Sequence, residues 1–213
     1  MATVEHGQGQ HGLEIPSTAT PPPSRGAKLN PGILTMSFFI GSEVMLFGSF
    51  FTAYFFVRFN VADQWPLLNE AGEPFELPVG ITGLNTAILV SSSFTVWWGE
   101  HRLNHYNDHK AIERGLLVTI MLGATFLIIQ INEYVHLGFT PQSTAFGSTF
   151  YCLTGLHGLH VLVGLTLLTF CFIRVKKARD FSYISTTPIM ASSIYWHFVD
   201  VVWVILYILV YLI

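Results

Sequence analysis

Six ionisable side chains stand inside stretches of this chain that are otherwise apolar enough to cross a bilayer: Glu43, Glu133, His157, His160, His197 and Asp200. Imidazoles and carboxylates in such a setting can ligate a metal, hold a haem from the axial side, relay protons or bond to one another. Each is expensive in hydrocarbon, so each must face protein or a polar cavity, and the rest of the fold has to supply that shelter. The densest stretches are Gly147-Ser-Thr-Phe-Tyr-Cys-Leu-Thr-Gly-Leu-His-Gly-Leu-His-Val-Leu-Val-Gly164 and Tyr195-Trp-His-Phe-Val-Asp-Val-Val-Trp203.

Each chemistry makes a different geometric demand. A haem needs two histidines on different helices at one depth, which His160 and His197 satisfy. A metal centre needs three or four converging ligands, which His157, His160, His197 and a carboxylate would provide. A proton path needs titratable groups at intervals across the membrane, and Glu43 with Glu133 is a thin version of one. Alternatively, the groups hydrogen-bond one another and fix helix register. Spacing alone leaves all four open.

The elements that carry these residues follow from composition. The chain is 51% hydrophobic and 11% charged, whereas a soluble domain carries about a quarter charged residues. Five apolar runs, at 33–57, 81–99, 115–136, 148–173 and 189–213, are each near or above the roughly 20 residues a membrane helix requires. The predicted fold is therefore all-α, a polytopic membrane protein with five transmembrane helices. Residues 1–32 are polar and rich in Gly, Pro, Ser and Thr, and read as a flexible tail rather than a secretory signal, because no apolar core precedes Ile33. The connections are an acidic loop (Asp63, Glu70, Glu73, Glu76), a His-rich basic loop (His101 to Lys110), a short turn around Pro141 and a basic loop (Arg174 to Arg179).

Loop charge gives an orientation. Arg25, Lys28, Arg102, Lys110, Arg114, Arg174, Lys176, Lys177 and Arg179 share one side, and the other holds only Arg58. Positive residues stay inside, so the N-terminus is expected in the cytoplasm and the C-terminus in the periplasm. Trp65, Trp97 and Trp98 suit interfacial belts. A rise of about 1.5 Å per residue puts Glu43, His157 and Asp200 near the midplane, His160 and His197 nearer the inner leaflet, and Glu133 near the outer end of its helix. His157 with His160, and His197 with Asp200, are i, i+3 neighbours, so each pair is expected to form one polar stripe. Gly41 and Gly48 on the first helix, and Gly155, Gly158 and Gly164 on the fourth, are expected to let backbones approach.

Other chemistry finds little support. Cys152 and Cys171 lie on one helix about 28 Å apart and cannot form a disulfide. No Cys-x-x-Cys pair, Gly-rich phosphate loop or nucleophile with its base is present. A net charge of -3 gives no reason to expect a nucleic-acid partner.

Longer motifs narrow the choice. The runs Tyr151-Cys-Leu-Thr-Gly-Leu-His-Gly-Leu-His-Val161, Tyr195-Trp-His-Phe-Val-Asp-Val-Val-Trp203 and Gly41-Ser-Glu-Val-Met-Leu-Phe-Gly-Ser-Phe-Phe-Thr-Ala-Tyr-Phe55 resemble subunit III of the haem-copper oxygen reductases. Leu84-Asn-Thr-Ala-Ile-Leu-Val-Ser-Ser and Gln130-Ile-Asn-Glu-Tyr134 are similar to the same family's matching segments, so the resemblance covers all five helices in order. It implies a non-catalytic subunit with no catalytic, cofactor or metal ligands of its own. The haems and copper would lie in a partner, catalytic subunit I, with subunit II and others completing the complex. It further implies bound phospholipid, support of the partner's proton uptake and protection from inactivation during turnover. Glu43 stands where the family has an intramembrane acid reactive toward hydrophobic carbodiimides. His197 and Asp200 would face it as polar anchors, with His157 and His160 in the same interior, and haem or metal ligation recedes.

The resemblance also marks departures. Many members have seven helices, and here the polar tail stands in place of the first two, so part of the lipid cleft would be built differently. Five-helix forms point to a bacterial plasma membrane ahead of an organellar inner membrane or thylakoid. The Trp196 to Trp203 run is closer to the cytochrome c oxidase branch than to quinol oxidases, and a nitric oxide reductase accessory subunit is a further alternative.

Overall fold

A computed structural model of the chain describes residues 30–60, 78–137, 139–142, 144–177 and 186–212. Most of the expected tail, the four acidic residues of the first loop, Trp65, Arg25, Lys28 and Arg179 lie outside the described residues. Among those described, the chain is all-helical: α1 (Pro31–Asn60), α2 (Val79–Tyr106), α3 (His109–His136), α4 (Ala145–Lys177) and α5 (Thr187–Tyr207), the last running on into a π-helical turn at Ile208–Leu212. All five are long and apolar enough to cross a membrane. At 28 residues, α2 spans about 42 Å, so its ends extend beyond a hydrocarbon core of about 30 Å.

The His-rich segment is a tighter connection than the sequence suggests. Helix α2 continues through His101 and His105, and α3 begins at His109, leaving Asn107 and Asp108 as the turn. Asn107 takes the left-handed conformation (φ 52°) that ends α2, a conformation asparagine tolerates. Asp108 caps α3, its carboxylate accepting from the Ala111 amide at 3.1 Å and from Arg102 at 3.1 Å. These bonds hold the Asp108 carboxyl below the usual carboxylate range, the amide first and the guanidinium second.

Helices α4 and α5 pack on each other at the centre. The antiparallel α2/α3 pair covers one side, through α3 on α4 and α2 on α5, while α1 packs mainly on α4 and α5. Asn30 donates to Thr187 at 2.7 Å, tying the starts of α1 and α5 together. Tyr54 reaches the Leu209 carbonyl at the other end.

The core centres on Trp196, Trp203, Tyr195, Phe126 and Phe150, all buried. Trp196 fills a slot whose walls lack side chains. A Cβ on Gly123 of α3 would lie 2.6 Å from its ring and one on Gly164 of α4 2.8 Å from it, while its Nε1 donates to Ser92 at 2.9 Å. One indole thus joins α2, α3, α4 and α5. Gly115 likewise lets α3 touch the α2 backbone, where a Cβ would meet the Thr95 carbonyl at 2.8 Å. Of the five glycines expected at close approaches, only Gly164 serves in that way. Gly41, Gly48 and Gly155 have open space and Gly158 has one distant contact; on α1, most of the surface is bare and Phe47 and Tyr54 make the buried contacts.

Candidate functional site

The six singled-out residues fall into three separate polar clusters and one isolated ring. The first joins α1 to α4, where Glu43 Oε2 lies 2.9 Å from His160 Nε2. His160 Nδ1 is 2.8 Å from the Leu156 carbonyl, and the Phe47 ring lies 5.0 Å from the imidazole. A carbonyl can only accept, so Nδ1 carries a proton. The Oε2–Nε2 contact then holds one more proton, on the carboxyl or on the imidazole. Either way the pair is electrically neutral as a unit, the form least costly to keep inside a bilayer.

The second cluster joins α2 to α5. Ser93 Oγ is 2.9 Å from His197 Nδ1 and also bonds Asp200 Oδ2. Serine, histidine and aspartate together invite comparison with a nucleophilic triad, but the order is wrong. There histidine sits between serine and aspartate; here serine sits between the other two, so no base is oriented by the carboxylate toward a nucleophile. The hydroxyl can instead accept from one neighbour while donating to the other, linking imidazole and carboxylate by one hydrogen-bond chain.

The third lies toward the ends of α2, α3 and α5. Both oxygens of Glu133 are 3.2 Å from Thr82 Oγ1, and Tyr211 donates to Oε1 at 3.0 Å. Beside it a cleft of about 350 Å³ is lined by Pro78, Ile81, Ile129, Asn132, His136 and Glu133 itself.

His157 belongs to none of these. Buried to 1% exposure, it packs 4.8 Å from the Trp203 ring and edge-on to Phe126, and neither ring nitrogen has a hydrogen-bond partner among the described residues.

This arrangement corrects several expectations. His157 and His160 do not form one polar stripe, since residues three apart on a helix point about 60° apart, and His157 packs on Phe126 of α3 and Trp203 of α5 whereas His160 meets Glu43 of α1. His197 and Asp200 do share a stripe, but it faces Ser93 of α2, while Glu43 bonds His160 of α4. Among the described residues, no three His, Cys, Asp or Glu side chains gather where they could hold one metal ion. His160 is engaged at both nitrogens, so the histidine pair proposed for a haem would have to abandon the Glu43 contact. Sequence reasoning missed Ser93, Thr82 and Tyr211. Ser91-Ser92-Ser93 within an apolar run was the available signal for the first.

The family model for cytochrome c oxidase subunit III matches residues 24–213. The chain belongs to the cytochrome c oxidase subunit III family. It is 44% identical over 186 residues to cytochrome c oxidase subunit 3 of Anopheles gambiae, an overlap covering 83% of this chain and 67% of the relative. Identity to the Drosophila melanogaster protein of the same name is 42% over 181 residues, and to the human one 38% over 197 residues, there covering 90% of this chain and 71% of the relative. All three clusters fall within the matched region.

Proposed function

We propose that this chain acts as the non-catalytic subunit III of a proton-pumping haem-copper terminal oxidase of the cytochrome c oxidase type. In that role it binds phospholipid and steadies the catalytic subunit and its proton uptake. The observation that carries the reading is the state of α1. Only Phe47 and Tyr54 of its 30 residues are buried, while Phe38, Met45, Phe56 and Phe59 are each more than 60% exposed. A helix so bare, fastened through a neutral Glu43–His160 pair, suits a subunit whose apolar flank is completed by lipid chains and by a larger partner. The relatives' names support the cytochrome c branch over quinol oxidases.

In this reading the haems and copper belong to the partner subunits, and the imidazoles serve structure. His160 supports this with both nitrogens engaged within the chain. Loop charge supports an N-terminus and basic loops on the cytoplasmic side: Lys110, Arg114, Arg174, Lys176 and Lys177 cluster at one end of the bundle and Arg58 at the other.

The test is a mild detergent purification through a tag on the N-terminal tail, with an optical spectrum, subunit identification and oxygen consumption on one sample. A haem-copper partner with cytochrome c-driven turnover, which decays faster once this chain is stripped away, is the expected result. Haem retained by this chain alone would overturn the proposal.

A further inference from the structure

At the basic end of α2 an exposed line of rings runs along one helix face. Trp97, His101 and His105 are spaced at i, i+4 and i+8, and all three are exposed. Trp97 stacks on His101 with centroids 5.5 Å apart, and His101 on His105 at 4.2 Å. None of the three takes part in the clusters that join the helices, and packing does not require two imidazoles on an exposed face.

We propose that His101 and His105 form a surface site for a divalent transition metal ion of the zinc or copper class. Histidines four apart on a helix lie one above the other; their rings stack here, and a rotation of the exposed His101 ring out of the stack brings a nitrogen of each onto one ion. The tautomer of one ligand is already set. His105 Nδ1 lies 3.1 Å from the His101 carbonyl, which can only accept, so that nitrogen carries the proton and Nε2 is left as the lone-pair donor. A metal-bound histidine commonly donates its second N–H to a backbone carbonyl in this way. Trp97 lies against the other face of the His101 ring.

The nearby cation is directed elsewhere. Arg102 pairs with Asp108 at 3.1 Å and lies over the Tyr106 ring at 4.9 Å. Two protein nitrogens leave the remaining coordination positions to water, so the site is an open one that exchanges its ion. It stands independently of the subunit III reading.

The experiment uses the full chain in detergent, first with Zn2+ in equilibrium dialysis and then with Cu2+ in pulsed electron paramagnetic resonance, which counts coordinated imidazoles. His101→Gln and His105→Gln keep the helix, because glutamine is a good helix former and both positions are exposed. His6, His11, His109 and His136 remain in both variants as internal controls. The expected result is one sub-millimolar zinc site, weakened about tenfold or more by either substitution, with two imidazoles on copper in the parent and one in each variant. Zinc affinity unchanged in both variants, or a copper spectrum in which neither substitution removes an imidazole, would overturn the proposal. So would the absence of a sub-millimolar site in the parent chain.

Discussion

Replacing Glu43 by leucine leaves His160 Nε2 facing hydrocarbon in place of a carboxyl 2.9 Å away. The two side chains are 14% and 11% exposed, so little solvent can take over the lost bond. A stranded polar group of this kind costs about 1–3 kcal/mol. Across α1 the loss weighs heavily, because the helix buries only Phe47 and Tyr54 besides. For a chain of this size about 2 kcal/mol corresponds to a drop in Tm of roughly 4–8 °C. His160→Leu should cost a similar amount from the opposite side. The double variant should cost less than the two singles together, with a coupling of about 0.6–1.7 kcal/mol, as expected for an interhelical bond in a membrane. Glu43→Gln keeps a group that can donate to Nε2, and should leave assembly intact with a loss below about 1 kcal/mol. The assay is thermal unfolding of the purified full chain in detergent, followed by intrinsic fluorescence. Strict additivity of the two leucine variants would refute the reasoning, since it would mean that the contact carries no coupling between α1 and α4.

Four further outcomes follow from other parts of the bundle. Asp200→Leu removes one of the two groups bonded to Ser93 and should lower stability by about 1–3 kcal/mol; an unchanged Tm would show that the carboxyl contributes no net bond. His157→Leu deletes a buried ring without hydrogen-bond partners among the described residues and should leave Tm unchanged or raise it, so a clear loss of stability would point to a bond the packing does not reveal. Gly123→Val drives a side chain into the Trp196 slot and should cost about 1–3 kcal/mol or more, with altered Trp fluorescence as the marker; a parent-like spectrum and Tm would mean that the slot can widen. Asp108 has a lowered carboxyl pKa in the folded chain, so its contribution is present above the ordinary value of 3.8 and disappears as pH falls through the lower folded value. The protection factor of the Ala111 amide, its exchange corrected for the intrinsic pH dependence, should fall over that acid range in the parent and change little with pH in Asp108→Asn, which keeps an N-cap but not the titration; identical protection profiles would contradict the capping role.

The residues show why some features were legible and others were not. The five helices were readable because the need for about 20 consecutive apolar residues is a one-dimensional requirement; α3 contains its predicted run with residues added only at the start, and α4 with a few added at each end. The α2–α3 turn was misjudged because its determinants are single residues, Asn107 and Asp108, inside a segment whose polarity reads as a loop. The intramembrane ionisable groups were visible as anomalies of composition, but their partners were not. His160 and Glu43 are separated by 117 residues, and Ser93 and Asp200 by 107. Nothing local encodes those meetings. His157 and His160, only three positions apart, end on different sides of α4 because a 60° offset is enough to choose between neighbours.

By itself, then, the sequence determined that this is a five-helix membrane protein of the subunit III family, because length, apolarity and motif order are properties of the chain read along its length. Tertiary structure alone decided which helix each polar side chain addresses: Glu43 to His160, Ser93 between His197 and Asp200, Glu133 to Tyr211. It also decided which glycines matter, since a missing Cβ has consequence only where an indole or a neighbouring backbone comes within contact distance. The physical reason is common to both. Helix rotation about its own axis and the choice of neighbour are set by packing across the bundle, and the periodicity of a single helix carries no record of what stands opposite it.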